Sequence, residues 1–362
     1  MIGIPEALGR LLAERGRLRF DEYVDWALYD AGHGFFATSG GAGRGGADFI
    51  TSPEVGPLFA AVVARWLDGV WADLGRPDPF TVVEAAAGRG ALAIGVRAAR
   101  PTCAPALRWV LVERSAALRA RQREHLPVDA GPGPAGGGPR FSSAADLPAG
   151  PVVGVVLANE LLDNLPFRLF ERSSTSWQEV WVTAGRDGLV EVLGDAPGAV
   201  AMELDRLAPD AVAGARVPRQ EAAGEWVGRA LSLVERGRVL VVDYADATAS
   251  LAARPPEQWL RTYRSHDHGG SPLEGPGSQD ITVEVALDQL PAVDRAAHST
   301  QADWLRAQRI DDLVDAARAV WAQRAGIGDL AAVRARSTVS EADALTDPDG
   351  LGAFTVLEWP VP

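Results

Sequence analysis

Phe80-Thr81-Val82-Val83-Glu84-Ala85-Ala86-Ala87-Gly88-Arg89-Gly90 decides the fold. The β-branched run up to Glu84 predicts a strand and the glycines a tight turn; the apolar periodicity that follows predicts a helix over residues 91–100. The same rhythm recurs downstream. Trp109-Val110-Leu111-Val112-Glu113 predicts a strand, and residues 115–125 a helix. Residues 151–158 and 238–243 hold continuous apolar runs, the pattern of strands buried on both faces. Strands alternating with helices predict an α/β protein built on a doubly wound, mostly parallel sheet.

Around that core the pattern changes. Residues 20–29 and 57–74 carry helical spacing, separated by a glycine loop over 39–46. Residues 1–75 are therefore expected to form an N-terminal helical region that packs on the core. Residues 168–170, 177–182 and 189–193 predict a small antiparallel meander, and 226–234 a helix leading back to the sheet. The core is assigned to residues 76–166 and 236–362, and the inserted subdomain to 167–235. Helices are expected at 302–308 and 310–325, loops at 127–139 and 265–279, and a closing strand at 353–358.

The 362 residues carry 35 basic side chains, all arginine, against 48 acidic ones, a formal charge of −13. That balance argues against a nucleic-acid duplex or an anionic membrane as partner. The single Cys103 excludes an intramolecular disulfide and a multi-cysteine metal site. No apolar run reaches the roughly 18 residues of a membrane-spanning helix, and no secretory pattern opens the chain. A bacterial cytoplasmic protein is expected, its all-arginine, Ala- and Gly-rich composition reflecting GC-rich coding.

Three segments carry chemistry. In the first, Gly88 and Gly90 let a ligand approach the backbone at a helix N-terminus. Glu113, ending the next strand, can hold a ribose diol. A dinucleotide fingerprint would need Gly-x-Gly-x-x-Gly; an acid, Glu84, ahead of a short glycine pair looks more like a site for S-adenosylmethionine (SAM). The second segment, Asn159-Glu160-Leu161-Leu162-Asp163-Asn164-Leu165-Pro166, follows a buried strand at the end where such sheets bind ligands. One of its polar residues can serve as a helix cap, but Glu160 needs another explanation. The third, Asp48-Phe49-Ile50-Thr51-Ser52-Pro53-Glu54, has a good local account: Ser52 as N-cap, Pro53 in the first turn and Glu54 at the positive helix end. His266-Asp267-His268 lacks further clustered ligands, so no metal is expected.

Together with Val242-Asp243-Tyr244, Thr262-Tyr263-Arg264-Ser265-His266, Asp280-Ile281-Thr282 and Thr300-Gln301, these segments resemble, in order, the MidA-type family of SAM-dependent methyltransferases. These are bacterial relatives of a mitochondrial complex I assembly factor that methylates an arginine. The resemblance implies a class I methyltransferase sheet. SAM, with S-adenosylhomocysteine as product, would lie over Gly88 and Gly90, with Glu84, Glu113, Asn159 and the Thr51, Ser52, Pro53, Glu54 segment around it and Asp146 and Leu147 bordering the adenine. Glu160 and Asp163 would be catalytic, and Asp243, Tyr244, Arg264 and His266 would meet the substrate. The implied partner is a protein, with an NADH dehydrogenase subunit as candidate; self-association into a homodimer is left open. Ala86, Ala47 and Ala245 stand where the family usually has glycine. Of these Ala86 matters most, because its methyl either weakens SAM binding or shifts the turn.

Three functions follow: transfer of methyl to a protein arginine, transfer to a small molecule, or an assembly protein that keeps the fold without catalysis. A guanidinium is a charged, delocalised and poor nucleophile, so carboxylates that hold it and localise its charge are the chemical requirement for the first.

Overall fold

The computed structural model describes residues 4–38, 51–128, 137–264 and 267–362. Its large sheet has seven strands: β1 (Phe80–Ala85), β2 (Leu107–Val112), β3 (Arg140–Ala144), β4 (Val152–Asn159), β5 (Val234–Asp243), β6 (Ala297–Thr300) and β7 (Thr355–Val361). Their order across the sheet is β3-β2-β1-β4-β5-β7-β6. The first five are mutually parallel, and β7 runs antiparallel to both β5 and β6. The order reverses between β1 and β4, so a crevice opens there at the strands' carboxyl ends.

Alternation along each strand supplies two cores. Phe80 and Val82 of β1 pack with the helices Pro57–Asp73 and Ala91–Ala99, whereas Val83 and Ala85 face the helix Glu221–Leu233. Strands β1, β4 and β5 are drawn together at two glycines in register, Gly154 and Gly237, both with φ +148°. A Cβ on Gly154 would stand 2.0 Å from the Thr81 carbonyl oxygen, and one on Gly237 1.7 Å from the Gly154 oxygen. The apolar runs predict the strands but give no sign of this close approach.

A second sheet is built by the insertion and the N-terminal region. Arg168–Arg172, Trp177–Ala184, Leu189–Asp195 and Arg216–Arg219 join with Leu18–Arg19, which pairs antiparallel with Trp177–Ala184. The helix Phe20–Tyr29 packs on that sheet through Phe20, Tyr23 and Val24. The N-terminal region is thus not helical throughout, and the insertion gains a fourth strand and the helix Gly198–Leu207. Within residues 236–362, the three short strands Leu260–Arg264, Asp267–His268 and Asp280–Val283 leave the large sheet, and Trp259, Ile281 and Val283 bury against the N-terminal helices. Helix Leu330–Leu345 has no counterpart in the expected elements. Leu330 and Val333 are exposed while Ala332, Ala335, Glu341 and Ala342 join Leu345 on the inward face, so its periodicity does not advertise a buried face.

Gly237→Ala should destabilise the protein by about 3 kcal/mol or more, since a side chain there must displace sheet backbone. Urea denaturation of the folded variant checks this; a loss under about 1 kcal/mol would show that the sheet yields at Gly237.

Candidate active site

At the crevice lies a cavity of about 490 Å³, within the usual range for small-molecule sites. Its floor is the turn after β1. Ala86, Gly88 and Gly90 there have φ of +52°, +52° and +83°. Ala86 therefore adopts the left-handed backbone at a position where a glycine carries no strain, and its methyl is exposed along the cavity wall. The turn keeps its shape at a cost of roughly 1–2 kcal/mol.

Two buried side chains hold the turn. Glu113, at the end of β2, accepts the Gly88 N–H at 3.0 Å and the Ser115 N–H at 2.7 Å. Gln122, on the helix Ala116–His125, donates from Nε2 to the Gly88 carbonyl at 2.8 Å and accepts from Ser143 Oγ at 2.6 Å. Glu84 lies beneath, accepting from Trp109 Nε1 at 2.7 Å. Burial pushes its carboxyl up to about 8, against the Trp109 bond and with help from Glu113. Burial likewise raises Glu113, against the Ser115 and Gly88 N–H groups.

Asn159 and Glu160 line the wall opposite the turn. Asn159 Nδ2 donates to Glu160 Oε1 at 2.8 Å, and the Ser52 N–H donates to the same carboxylate. Glu160 itself sits at φ +53°, an uncommon conformation for a residue with a side chain. Burial, reinforced by neighbouring Asp163, raises its carboxyl to about 8. Asp163 is raised by burial to about 7. Buried Asn159 Oδ1 and Asp163 Oδ1 have no hydrogen-bond partner among the described residues.

The remaining expected residues separate into two groups. Thr51, Pro53 and Glu54 line the cavity, and Glu54 faces Arg89 across it at 3.7 Å. The Ser52 side chain is buried elsewhere, donating to Gln301 at 2.9 Å, and contributes through its backbone. Asp146 and Leu147 border the far end, where Asp146 pairs with Arg229 at 2.7 Å. Asp163, Asp243, Tyr244 and Arg264 do not line the cavity. Asp243, expected to meet substrate, turns its carboxylate to the backbone N–H groups of Leu161, Leu162, Asp163 and Tyr244. Burial, Asp163 and Glu160 raise its pKa against those donors. Tyr244 packs against Phe354 with the rings tilted by 48° and their centroids 3.9 Å apart, and Arg264 is exposed, donating to Ser278 Oγ. His266, like Asp48, Phe49 and Ile50, lies outside the described residues.

Sequence patterns missed Tyr29, Phe36, Trp226 and Arg229, which complete the walls from the N-terminal region and the insertion. Tyr29 donates to the Asn164 carbonyl at 3.1 Å, and the Arg114 guanidinium lies 4.4 Å from the centre of its ring. Only the resemblance of whole segments, not any local motif, could have brought these elements to the site. No described helix is long and apolar enough to cross a membrane.

The strand order, with β7 antiparallel between β5 and β6, and a cavity over the glycine turn define a class I methyltransferase fold. A profile of the family described as "Putative S-adenosyl-L-methionine-dependent methyltransferase" matches residues 62–306. The chain belongs to this family, of the MidA type, and the family's cofactor is SAM. It is 27% identical to a Burkholderia thailandensis protein solved bound to S-adenosyl-homocysteine, with TM-score 0.83 over 98% of this chain and 90% of that one. It is also 30% identical to "Protein arginine methyltransferase NDUFAF7 homolog, mitochondrial" of Drosophila melanogaster, the match covering 75% of this chain and 65% of the fly protein. The Danio rerio protein arginine methyltransferase NDUFAF7 is 25% identical, over 76% of this chain and 68% of its own.

The raised carboxyls make stability depend on pH in a stated direction. In the folded protein Glu84, Glu160 and Asp163 hold protons that the unfolded chain releases above its ordinary carboxylate range. Their contribution is therefore complete below about pH 4 and lost as pH rises to about 8. Ligand-free protein should melt lower at about pH 8.5 than at about pH 5, and Glu160→Gln should shallow that slope by melting above wild type on the alkaline side. Calorimetry decides; parallel wild-type and variant curves would place Glu160 in water, ionised throughout.

Proposed function

We propose that the protein transfers the methyl of SAM to a guanidinium nitrogen of a protein arginine. The observation that carries this is Glu160: a carboxyl in the wall of the crevice, held by Asn159 and Ser52 and left with no cation of its own among its described hydrogen-bond partners. The names of the fly and zebrafish relatives support the arginine acceptor.

The residues present fit the cofactor. Glu113 offers acceptor capacity to the ribose diol, and Leu147 with Trp226 offers apolar surface to the adenine at the far end. At the near end, Arg89 and Glu54 present opposite charges at 3.7 Å, the complement of an amino acid's carboxylate and ammonium. Asn159 Oδ1, buried and unpartnered, is a further acceptor at that end. Bound there, SAM supplies an activated methyl group on a sulfonium. Glu160, ionised once a cation lies against it, orients the guanidinium and accepts the proton that the nitrogen must lose. With an affinity for protons near neutrality, it can then return that proton to water.

The test is single-turnover transfer of labelled methyl to arginine-containing protein substrates, an NADH dehydrogenase subunit among them, at saturating SAM. Glu160→Gln should lower the rate on the order of 100-fold with SAM affinity little changed. Transfer to a small amine or thiol, with none to protein, would instead identify a small-molecule methyltransferase.

The amino-acid end is checked separately with two ligands. S-adenosylhomocysteine carries the zwitterion, and 5′-methylthioadenosine lacks it. Arg89→Gln should weaken the first roughly tenfold or more and leave the second unchanged. Equal losses for both ligands would mean that Arg89 only shapes the turn.

A further inference from the structure

Glu341 is a buried carboxylate on the helix Leu330–Leu345. Its Oε2 accepts the Leu58 N–H at 2.9 Å, at the start of the helix Pro57–Asp73, and its Oε1 accepts from Ser337 Oγ at 2.8 Å. It does so by lying directly against Gly56: a Cβ there would stand 2.2 Å from the Glu341 carboxyl carbon. Gly56 has an ordinary extended backbone, φ 169°, so contact and not conformation excludes a side chain at this position.

Gly56 is also the residue that ends the single helical turn Ser52–Val55. A second tie reaches that turn from the same helix. Ser52 Oγ donates to Gln301 Oε1, and Gln301 Nε2 donates to the Leu345 carbonyl at 3.1 Å. Helix Leu330–Leu345 therefore grips the Ser52–Val55 turn at both ends, through Glu341 and through the Leu345 carbonyl. The turn in turn supplies the Ser52 N–H to Glu160 and Glu54 to Arg89.

We propose that Glu341 is a positioning residue for methyl transfer: by fixing Gly56 and Leu58 it sets the Ser52–Val55 turn, and through the Ser52 N–H it orients the Glu160 carboxylate. The proposal rests on Glu160 being the acceptor-side carboxylate. An ordinary helix cap would account for the Leu58 bond alone; it would not account for a glycine kept free of side chain for the carboxylate, nor for the second tie at Ser52. The groups facing Glu160 are Asn159, Asp163, Asp243, Glu54 and Tyr244. Against the carboxylates among them, the Ser52 N–H is one of two donors that favour the ionised form of Glu160.

Hydrogen exchange at the Ser52–Val55 amides and single-turnover methyl transfer followed from about pH 6 to about pH 9 test this in Glu341→Ala, Glu341→Asp and Glu341→Gln. In Glu341→Ala the Ser52 amide should exchange roughly tenfold faster. The pH midpoint of methyl transfer should rise by about half a unit to one unit, because Glu160 loses a donor to its ionised form. Glu341→Gln keeps an acceptor for Leu58 and should match wild type in both measurements. Glu341→Asp falls short of Leu58, should lie between, and carries the test if Glu341→Ala does not fold. Wild-type exchange and an unmoved midpoint in a folded Ala or Asp variant, with only a lower melting temperature, would make Glu341 a helix cap and overturn the proposal. Absence of SAM binding by the wild-type protein would overturn the cofactor assignment instead, and exchange at Ser52–Val55 would still decide the role of Glu341.

Discussion

Four backbone N–H groups converge on the carboxylate of Asp243, and the geometry of the crevice depends on them. Where β4 ends, the chain must stop pairing, turn over the sheet edge and still satisfy its donors. Leu161, Leu162 and Asp163 donate to Asp243 Oδ2, Tyr244 donates to Oδ1, and the Glu160 N–H closes on the Val242 carbonyl at 2.8 Å. The ends of β4 and β5 are thereby locked together, and Glu160 is held in a left-handed conformation beside the cavity. Strain at such a position is affordable only because the surrounding bonds over-determine it.

The same knot explains the electrostatics. Three carboxyls, Glu160, Asp163 and Asp243, crowd one end of a buried sheet; on top of the effect of burial, Asp163 raises the proton affinity of Glu160, and both raise that of Asp243. In the ligand-free protein the cluster keeps some of its protons, which lowers the cost of burying it. A cation placed against Glu160 would release one of them. Such a cluster gives up stability at neutral pH in exchange for a strong preference for a positively charged guest.

Much of the sheet is legible in the chain because parallel strands buried on both faces have no alternative pattern to imitate. Residues 80–84, 109–113, 151–158 and 238–243 announce themselves as continuous or β-branched apolar runs. The turn at Gly88 and Gly90 and the acid Glu113 are legible for a local reason as well, since strand, turn and helix follow within a few residues. The roles of Asp243 and Tyr244 are not. Whether a carboxylate meets a ligand or a row of backbone donors depends on where residues 161–163 fold back, and that is a tertiary fact. Tyr29, Phe36 and Trp226 escape for the same reason: each sits in a segment whose local pattern says only that it packs.

Ala86 shows how far a departure at one position carries. Its methyl is exposed along the cavity wall, and the turn adopts the conformation a glycine would. The Gly88 N–H and carbonyl are both engaged, by Glu113 and Gln122, and Gln122 is itself held by Ser143 on β3. Those contacts, each of roughly 1–3 kcal/mol where a buried donor or acceptor would otherwise go unpaired, outweigh the strain of a single left-handed alanine. The turn is therefore set by the side chains gripping its far end, and an alanine at its near end changes the strain it stores without changing its shape. With the turn unshifted, the methyl stands in the cavity wall, so what Ala86 alters is the space offered to the cofactor and not the fold.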